Sequence, residues 1–165
     1  VAREFGTLVH ALFEKIDWSE DFNLDAAIPE WQARWPGSGA LVDAIEQVRG
    51  VLSDAKSRSA LSRPGTLAEV WRERNFEILL GDEWLSGTFD RVVIERDLSG
   101  GATAATILDF KTDRVGSDEE IDAAAAKYRP QLETYREVLR RMTGLPVAAV
   151  RCQLLFTRPR VLRTL

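Results

Sequence analysis

The chain has 165 residues, 45% apolar and 29% charged, a size and balance that suit one globular domain burying roughly 70% of the surface its unfolded form exposes. No apolar run approaches the roughly 20 residues that span a bilayer, no secretory signal opens the chain, and the single Cys152 excludes an internal disulfide framework and a Cys-ligated zinc or iron–sulfur centre. The net charge of −4 is uneven, since residues 1–126 hold 13 Lys and Arg against 24 Asp and Glu while residues 127–165 hold 9 against 2: the basic end marks either a polyanion surface or a solvated helix face with an Arg-rich tail.

These features predict a cytoplasmic protein without membrane contact, whose metal, if it has one, is held by oxygen or imidazole. The chain opens at Val1 inside a helical pattern, which reads as a piece excised from a longer polypeptide. Phe5, Leu8, Val9, Leu12, Phe13 and Ile16 recur at helical spacing and predict an amphipathic helix over about 3–17. Residues 18–70 read as a helical insertion with one helix at about 39–58, on Leu41, Ile45, Val48 and Leu52.

The period then shortens to that of strands. Trp71–Leu80, Trp84–Arg96 and Ala104–Thr112 are three extended runs, separated by Gly81-Asp82 and by Leu98-Ser99-Gly100-Gly101, both hairpin signals. Ser117 and Glu120 form a capping box that opens a helix, interrupted or restarted at Pro130 and ended by Gly144 and Pro146. Val147–Phe156 is a further strand, and Val161–Leu165 a short last one.

Asp109 and Lys111 lie two apart on the third strand, Ile107-Leu108-Asp109-Phe110-Lys111, so both project from one face. A two-residue turn at Ser99-Gly100 gives partners whose numbers sum to 199 and sets Asp90 across from Asp109. Such neighbours have Cβ atoms about 4.5–5.5 Å apart, and like charges there repel. Asp90 shares its face with Val92 and Ile94, so the pair is partly desolvated and needs a cation, a proton or strong hydrogen bonds. Lys111 alone satisfies this as a buried ion-pair cluster. The lone His10, on the flank of the first helix with Gly6 leaving room beside its ring, allows the other reading, an oxygen-and-imidazole site suited to Mg²⁺ or Mn²⁺.

The order Gly6-x-x-x-His10, Gly87-x-x-Asp90-Arg91, Ile107-Leu108-Asp109-Phe110-Lys111-Thr112 and Gln131-x-x-x-Tyr135 closely resembles the RecB-like branch of the PD-(D/E)xK nuclease superfamily. The resemblance covers roughly residues 5–157 apart from the insertion. It implies a restriction-endonuclease-like α/β core, a central mixed sheet flanked by helices, forming one nuclease domain over 1–165 with the helical insertion at 18–70. It implies His10, Asp90, Asp109 and the Phe110 carbonyl as metal ligands, with Asp90, Asp109 and Lys111 catalytic. Gln131 and Tyr135 resemble the motif that holds DNA near the metal, with Arg129 and Arg136, and also Arg140 and Arg141, adding charge for the backbone. Glu73, three residues before Phe76, resembles an acidic position that often precedes the first strand of the family's core.

Cys152 alone cannot hold the cluster of the four-cysteine relatives, so the resemblance implies a member without an iron–sulfur cluster. It further implies a metal-dependent deoxyribonuclease of recombination or repair, whose partners are DNA and a helicase motor in the same chain or complex. The rival reading is a catalytically silent nuclease-like domain for DNA binding or docking in a larger assembly. Intact acids and lysine argue against it, because an architectural domain needs no such cluster. A third reading, a regulatory cation-binding module without DNA, is disfavoured by the basic end.

Overall fold

A computed structural model describes residues 2–65 and 67–165. Val1, which carries the expectation of an excised piece, and Thr66 lie outside the described residues. The fold is α/β and restriction-endonuclease-like, with a five-stranded mixed sheet and flanking helices. Contacts divide the chain into two compact units. One comprises Val1–Arg63, Phe110–Val115 and Leu155–Leu162; the other comprises Pro64–Asp109, Gly116–Leu154 and Arg163–Leu165.

In the first unit, α1 (Ala2–Phe13) buries Leu8, Val9, Leu12 and Phe13. It stops four residues short of the expected end. The amides of Lys15 and Ile16 bond three residues back, to Leu12 and Phe13, and this tighter turn redirects the chain while keeping Ile16 buried. Helix α2 (Leu24–Arg34), with Asn23 capping the Ala26 amide, has no clear apolar period of its own, because Pro29 lies inside it and Trp31 is the side chain it buries. The helix expected over 39–58 is two. Asp54 is extended, closes α3 (Gly39–Ser53), and turns its carboxylate to the Ser57 amide at 2.9 Å to start α4 (Ala55–Ser59).

In the second unit, β1 (Leu67–Leu80) and β2 (Glu83–Arg96) pair antiparallel through the Gly81-Asp82 turn, where Gly81 has φ 61°. Strand β1 begins at Leu67 rather than Trp71, inside the range read as insertion. Strand β3 (Ala102–Lys111) pairs antiparallel with β2, but not through the expected two-residue turn. Residues 97–101 make the loop, gathered on Asp97, whose carboxylate accepts from the amides of Ser99 and Gly101 and from the Ser99 hydroxyl. Arg96 pairs with Ala102, and an irregularity between Arg96 and Glu95 accommodates one extra residue. From Glu95 opposite Ala104 inward, the ladder has the expected register.

The sheet order is β1-β2-β3-β4-β5. Helix α5 (Asp118–Thr143) opens on the expected capping box, with Glu120 N–H to Ser117 Oγ and Ser117 N–H to Glu120 Oε2 both 3.2 Å. It closes on Gly144 at φ 75°. Pro130 does not interrupt it. The residue removes one helical hydrogen bond, but the buried stripe of Ile121, Ala125, Leu132, Val138 and Leu139 runs along both sides of it. Met142, near the end of the helix, is 40% exposed. A 3-10 turn over Val147–Ala149 follows Pro146, so β4 (Val150–Phe156) starts three residues later than expected, and β5 (Val161–Thr164) ends the sheet.

Candidate active site

The two carboxylates on β2 and β3 sit in the second unit. The β2–β3 ladder pairs Arg91 with Leu108, and Asp90 and Asp109 are the next residues along it. Both are buried, at 9% and 4% exposure, where a carboxylate needs partners to offset its lost hydration. On the other side of β2, the β1 ladder pairs Arg72 with Arg91 and Arg74 with Phe89, passing over Glu73. Glu73 there takes φ 44°, a left-handed conformation that costs a non-glycine residue about 1–2 kcal/mol. With the backbone so turned, carboxylate oxygens of Glu73 and Asp90 lie within 4.8 Å of each other. Three acids from three separate strands thus occupy neighbouring positions, and Glu73 is held there against its own backbone preference.

Tyr135 and Gln131 share a face of α5, one turn apart. The Tyr135 ring sits edge-on to Phe76 and Phe89, with centroids 5.3 and 5.4 Å away. Its hydroxyl accepts a hydrogen bond from Gln131 Nε2 at 3.3 Å. Since the phenol oxygen is the acceptor in that bond, its own proton is left to donate. Burial raises the Tyr135 pKa above its ordinary 10.0, and the charges of Asp109 and Asp90 push the same way. The phenol is therefore neutral at physiological pH and lies within the field of the carboxylate pair. Gly87, first residue of the Gly-x-x-Asp-Arg motif, makes this approach possible: a Cβ there would stand 3.1 Å from the Tyr135 hydroxyl.

In the first unit, His10 Nε2 donates to the Phe110 carbonyl at 3.0 Å. The Phe110 ring is fixed by stacking on Phe13, centroids 4.4 Å apart and 14° from parallel. Adjacent ligands on an octahedral ion with bonds of about 2.1 Å are themselves about 3 Å apart, a spacing these two atoms share, but His10 Nε2 could serve as a ligand only in the tautomer that gives up the proton it donates here. Gly6 does not make room for the His10 ring as expected. Its missing side chain faces Thr112, whose Oγ1 would be 3.4 Å from a Cβ, and it lets the chain leaving β3 pass close to α1. Lys111, half-buried at the end of β3, has its carbonyl held by the Thr157 amide at 2.9 Å. Thr157 and its partner Gln47 have no signal in the sequence, where each is an ordinary polar residue next to a charged one, Arg158 and Glu46.

The arginines of the basic end differ in what they offer. Arg129 is exposed. Arg136 turns inward to the Leu165 carbonyl at 3.3 Å. Arg140 and Arg141 both pair with Glu137, at 2.7 and 3.2 Å, and Arg163 pairs with Asp118 and Asp122. Three of the nine basic residues of this segment, Arg140, Arg141 and Arg163, are thus paired with acids within the unit.

A family model of the PD-(D/E)XK nuclease superfamily matches residues 1–164, and the chain belongs to that superfamily. Within it, the chain is similar to an ATP-dependent helicase/nuclease subunit from Limosilactobacillus fermentum (strain NBRC 3956 / LMG 18251), with 29% identity over 175 residues that cover 97% of this chain and 13% of that protein. It is also similar to the helicase/nuclease subunit of the same name from Limosilactobacillus reuteri subsp. reuteri (strain JCM 1112), with 27% identity over 173 residues that cover 94% of this chain and 12% of the relative. The chain spans about an eighth of the length of these relatives, in keeping with the RecB-like resemblance. No helix among the described residues is long and apolar enough to cross a membrane.

Proposed function

We propose that residues 1–165 form one nuclease domain, with the helical insertion at 18–70, acting as the Mg²⁺- or Mn²⁺-dependent deoxyribonuclease module of a helicase-nuclease in recombination or repair. The observation that carries this reading is the buried Asp90 and Asp109, with Glu73 held at φ 44° beside Asp90, in a chain of this superfamily. Acids so placed are costly without a cation. His10, Asp90, Asp109 and the Phe110 carbonyl would hold the ion, with Glu73 a further carboxylate for it. A divalent ion supplies polarisation of the phosphate and a bound water of lowered pKa.

The side chains of this protein supply the rest. Lys111 orients the attacking water and offsets charge that gathers on the phosphate oxygens. The Tyr135 hydroxyl, with a proton to donate, and the Gln131 amide hold a phosphate or sugar of DNA without reading its sequence; the exposed Arg129 adds backbone charge, and Arg136 supports the same face of α5. By analogy with the helicase/nuclease subunits it resembles, a helicase motor in the same chain or complex is its partner; DNA is the substrate, the setting is cytoplasmic, and the single Cys152 cannot hold an iron–sulfur cluster.

The test is degradation of single- and double-stranded DNA by the purified protein with and without Mg²⁺ or Mn²⁺. Asp109→Ala and Lys111→Ala should each abolish cleavage and leave the fold intact, and only the first should greatly weaken metal binding. Digestion at the parent rate by both variants would remove the proposed site.

A further inference from the structure

Lys111 is the last residue of β3, where a strand normally begins to fray, yet its backbone is pinned from a distance. Its carbonyl accepts the Thr157 amide at 2.9 Å and lies 3.2 Å from the Thr157 hydroxyl. Thr157 is 1% exposed and follows β4 directly. The same hydroxyl contacts the side-chain oxygen of Gln47 at 2.6 Å. Gln47 belongs to α3 and is 6% exposed, and its Nε2 has no hydrogen-bond partner among the described residues in this orientation.

A threonine hydroxyl has one proton, so it cannot serve both oxygens fully while the Gln47 amide leaves two buried donors idle. Turning that amide by half a turn resolves the conflict, since the oxygen and nitrogen of a glutamine side chain are interchangeable in outline. Gln47 Nε2 then donates to Thr157 Oγ1, and Thr157 Oγ1 donates to the Lys111 carbonyl. The idle group becomes an acceptor, which is tolerated in the interior better than an idle N–H.

We infer that Gln47 and Thr157 are positioning residues for Lys111: a relay running from the helical insertion through the end of β4 that fixes the backbone from which the Lys111 ammonium projects. The inference rests on the reading of Lys111 as the cation at the reacting phosphate. It gives the insertion a part in the reaction without contact with DNA or metal. Misplacement of a reacting group by about 1 Å costs on the order of 100-fold in rate, so the relay is expected to act on kcat.

The experiment compares Thr157→Val, Thr157→Ser and the pair Gln47→Leu with Thr157→Val in the intact protein, using a labelled DNA oligonucleotide with Mg²⁺. Thr157→Val should lower kcat roughly 10- to 100-fold, with KM for DNA and the affinity for Mg²⁺ near parent values, and Thr157→Ser should restore most of the rate. The double variant replaces both buried partners by apolar groups of similar shape, which is nearly neutral for stability, so it should fold even if Thr157→Val does not, and it should show the same kcat loss. Parent kcat in the double variant, or a fall in metal affinity that matches the fall in kcat, would overturn the relay. Lys111→Ala, measured alongside, separates the two levels: an inactive Lys111→Ala with a fully active double variant removes the relay alone, and a fully active Lys111→Ala removes the lysine's role together with the relay.

Discussion

Glu73 stands beside Asp90 with carboxylate oxygens within 4.8 Å, although its backbone must adopt φ 44° to do so. Strain and like-charge proximity at one residue both reduce stability, and both are relieved by Glu73→Gly, because glycine enters the left-handed region freely. This variant should melt higher than the parent, while Glu73→Ala, which keeps the backbone strain, should gain less. Cleavage should fall in both. Thermal melts beside a DNA digestion assay would show this opposition of stability and activity, and a Glu73→Gly protein that melts lower than the parent would mean that the carboxylate stabilises the site without an ion.

A divalent ion relieves the same repulsion by binding. Mg²⁺ or Mn²⁺ at about one hundred times its Kd should stabilise the folded protein by about 2.7 kcal/mol, which for a chain of this size is a rise in Tm of about 5–10 °C. Asp90→Asn removes one ligand charge and with it the repulsion that Asp90 exerts on Asp109 and Glu73, so it should melt higher than the metal-free parent and respond much less to the ion. His10→Ala should also diminish the response. A parent Tm that is indifferent to both ions would return the acids to a buried ion-pair cluster with Lys111.

The hairpin between β2 and β3 shows what the sequence carried and what it did not. The register from Glu95 opposite Ala104 to Arg91 opposite Leu108, which leads to Asp90 and Asp109, was legible, but for a mistaken reason: Ser99-Gly100 forms no two-residue turn. The loop on Asp97 and the extra residue near Arg96 shift the register in compensating ways, because the apolar alternation of Val92, Ile94, Ala105 and Ile107 specifies which faces are buried. The helix α5 was legible from its caps and stripe, and Pro130 was overweighted, since a lost hydrogen bond on an exposed face is outvoted by packing on the opposite one. Motif spacing exposed the acids, His10 and Lys111. It was silent about Gln47 and Thr157, which lie 110 residues apart and acquire meaning only when the fold brings them together.

Tyr135 gives a pH-dependent signature. Burial raises its pKa above 10.0, with Asp109 and Asp90 adding to the shift. The folded state therefore holds this proton more tightly than the unfolded chain, and its contribution is complete below pH 10 and lost as pH rises through the folded value. Urea midpoints of the parent should fall between pH 9 and pH 11 by more than those of Tyr135→Phe. At neutral pH the same variant, together with Gln131→Ala, should cleave more slowly with metal affinity near the parent value, and its binding should weaken alike across DNA sequences. Loss of metal affinity in step with activity would instead place these two residues in the support of the ion.

Gly87 tests how tightly the aromatic cluster and the site are coupled. A Cβ at this position would lie 2.6 Å from Phe76 Cζ and 3.0 Å from Cε1, as well as 3.1 Å from the Tyr135 hydroxyl. Phe76 is buried against Phe89 with centroids 4.8 Å apart, so its ring has little room to retreat, and overpacking of this kind costs about 1–3 kcal/mol. Gly87→Ala should accordingly lower Tm and also slow cleavage, because the methyl group displaces the hydroxyl that Gln131 holds in place. Adding Phe76→Leu should recover part of the lost stability, since residues in contact do not contribute additively, while leaving cleavage slow, because the methyl group still crowds Tyr135. If the second substitution restores both properties together, the displaced group is the ring alone, and Tyr135 acts on DNA through the packing of Phe76 rather than through its hydroxyl.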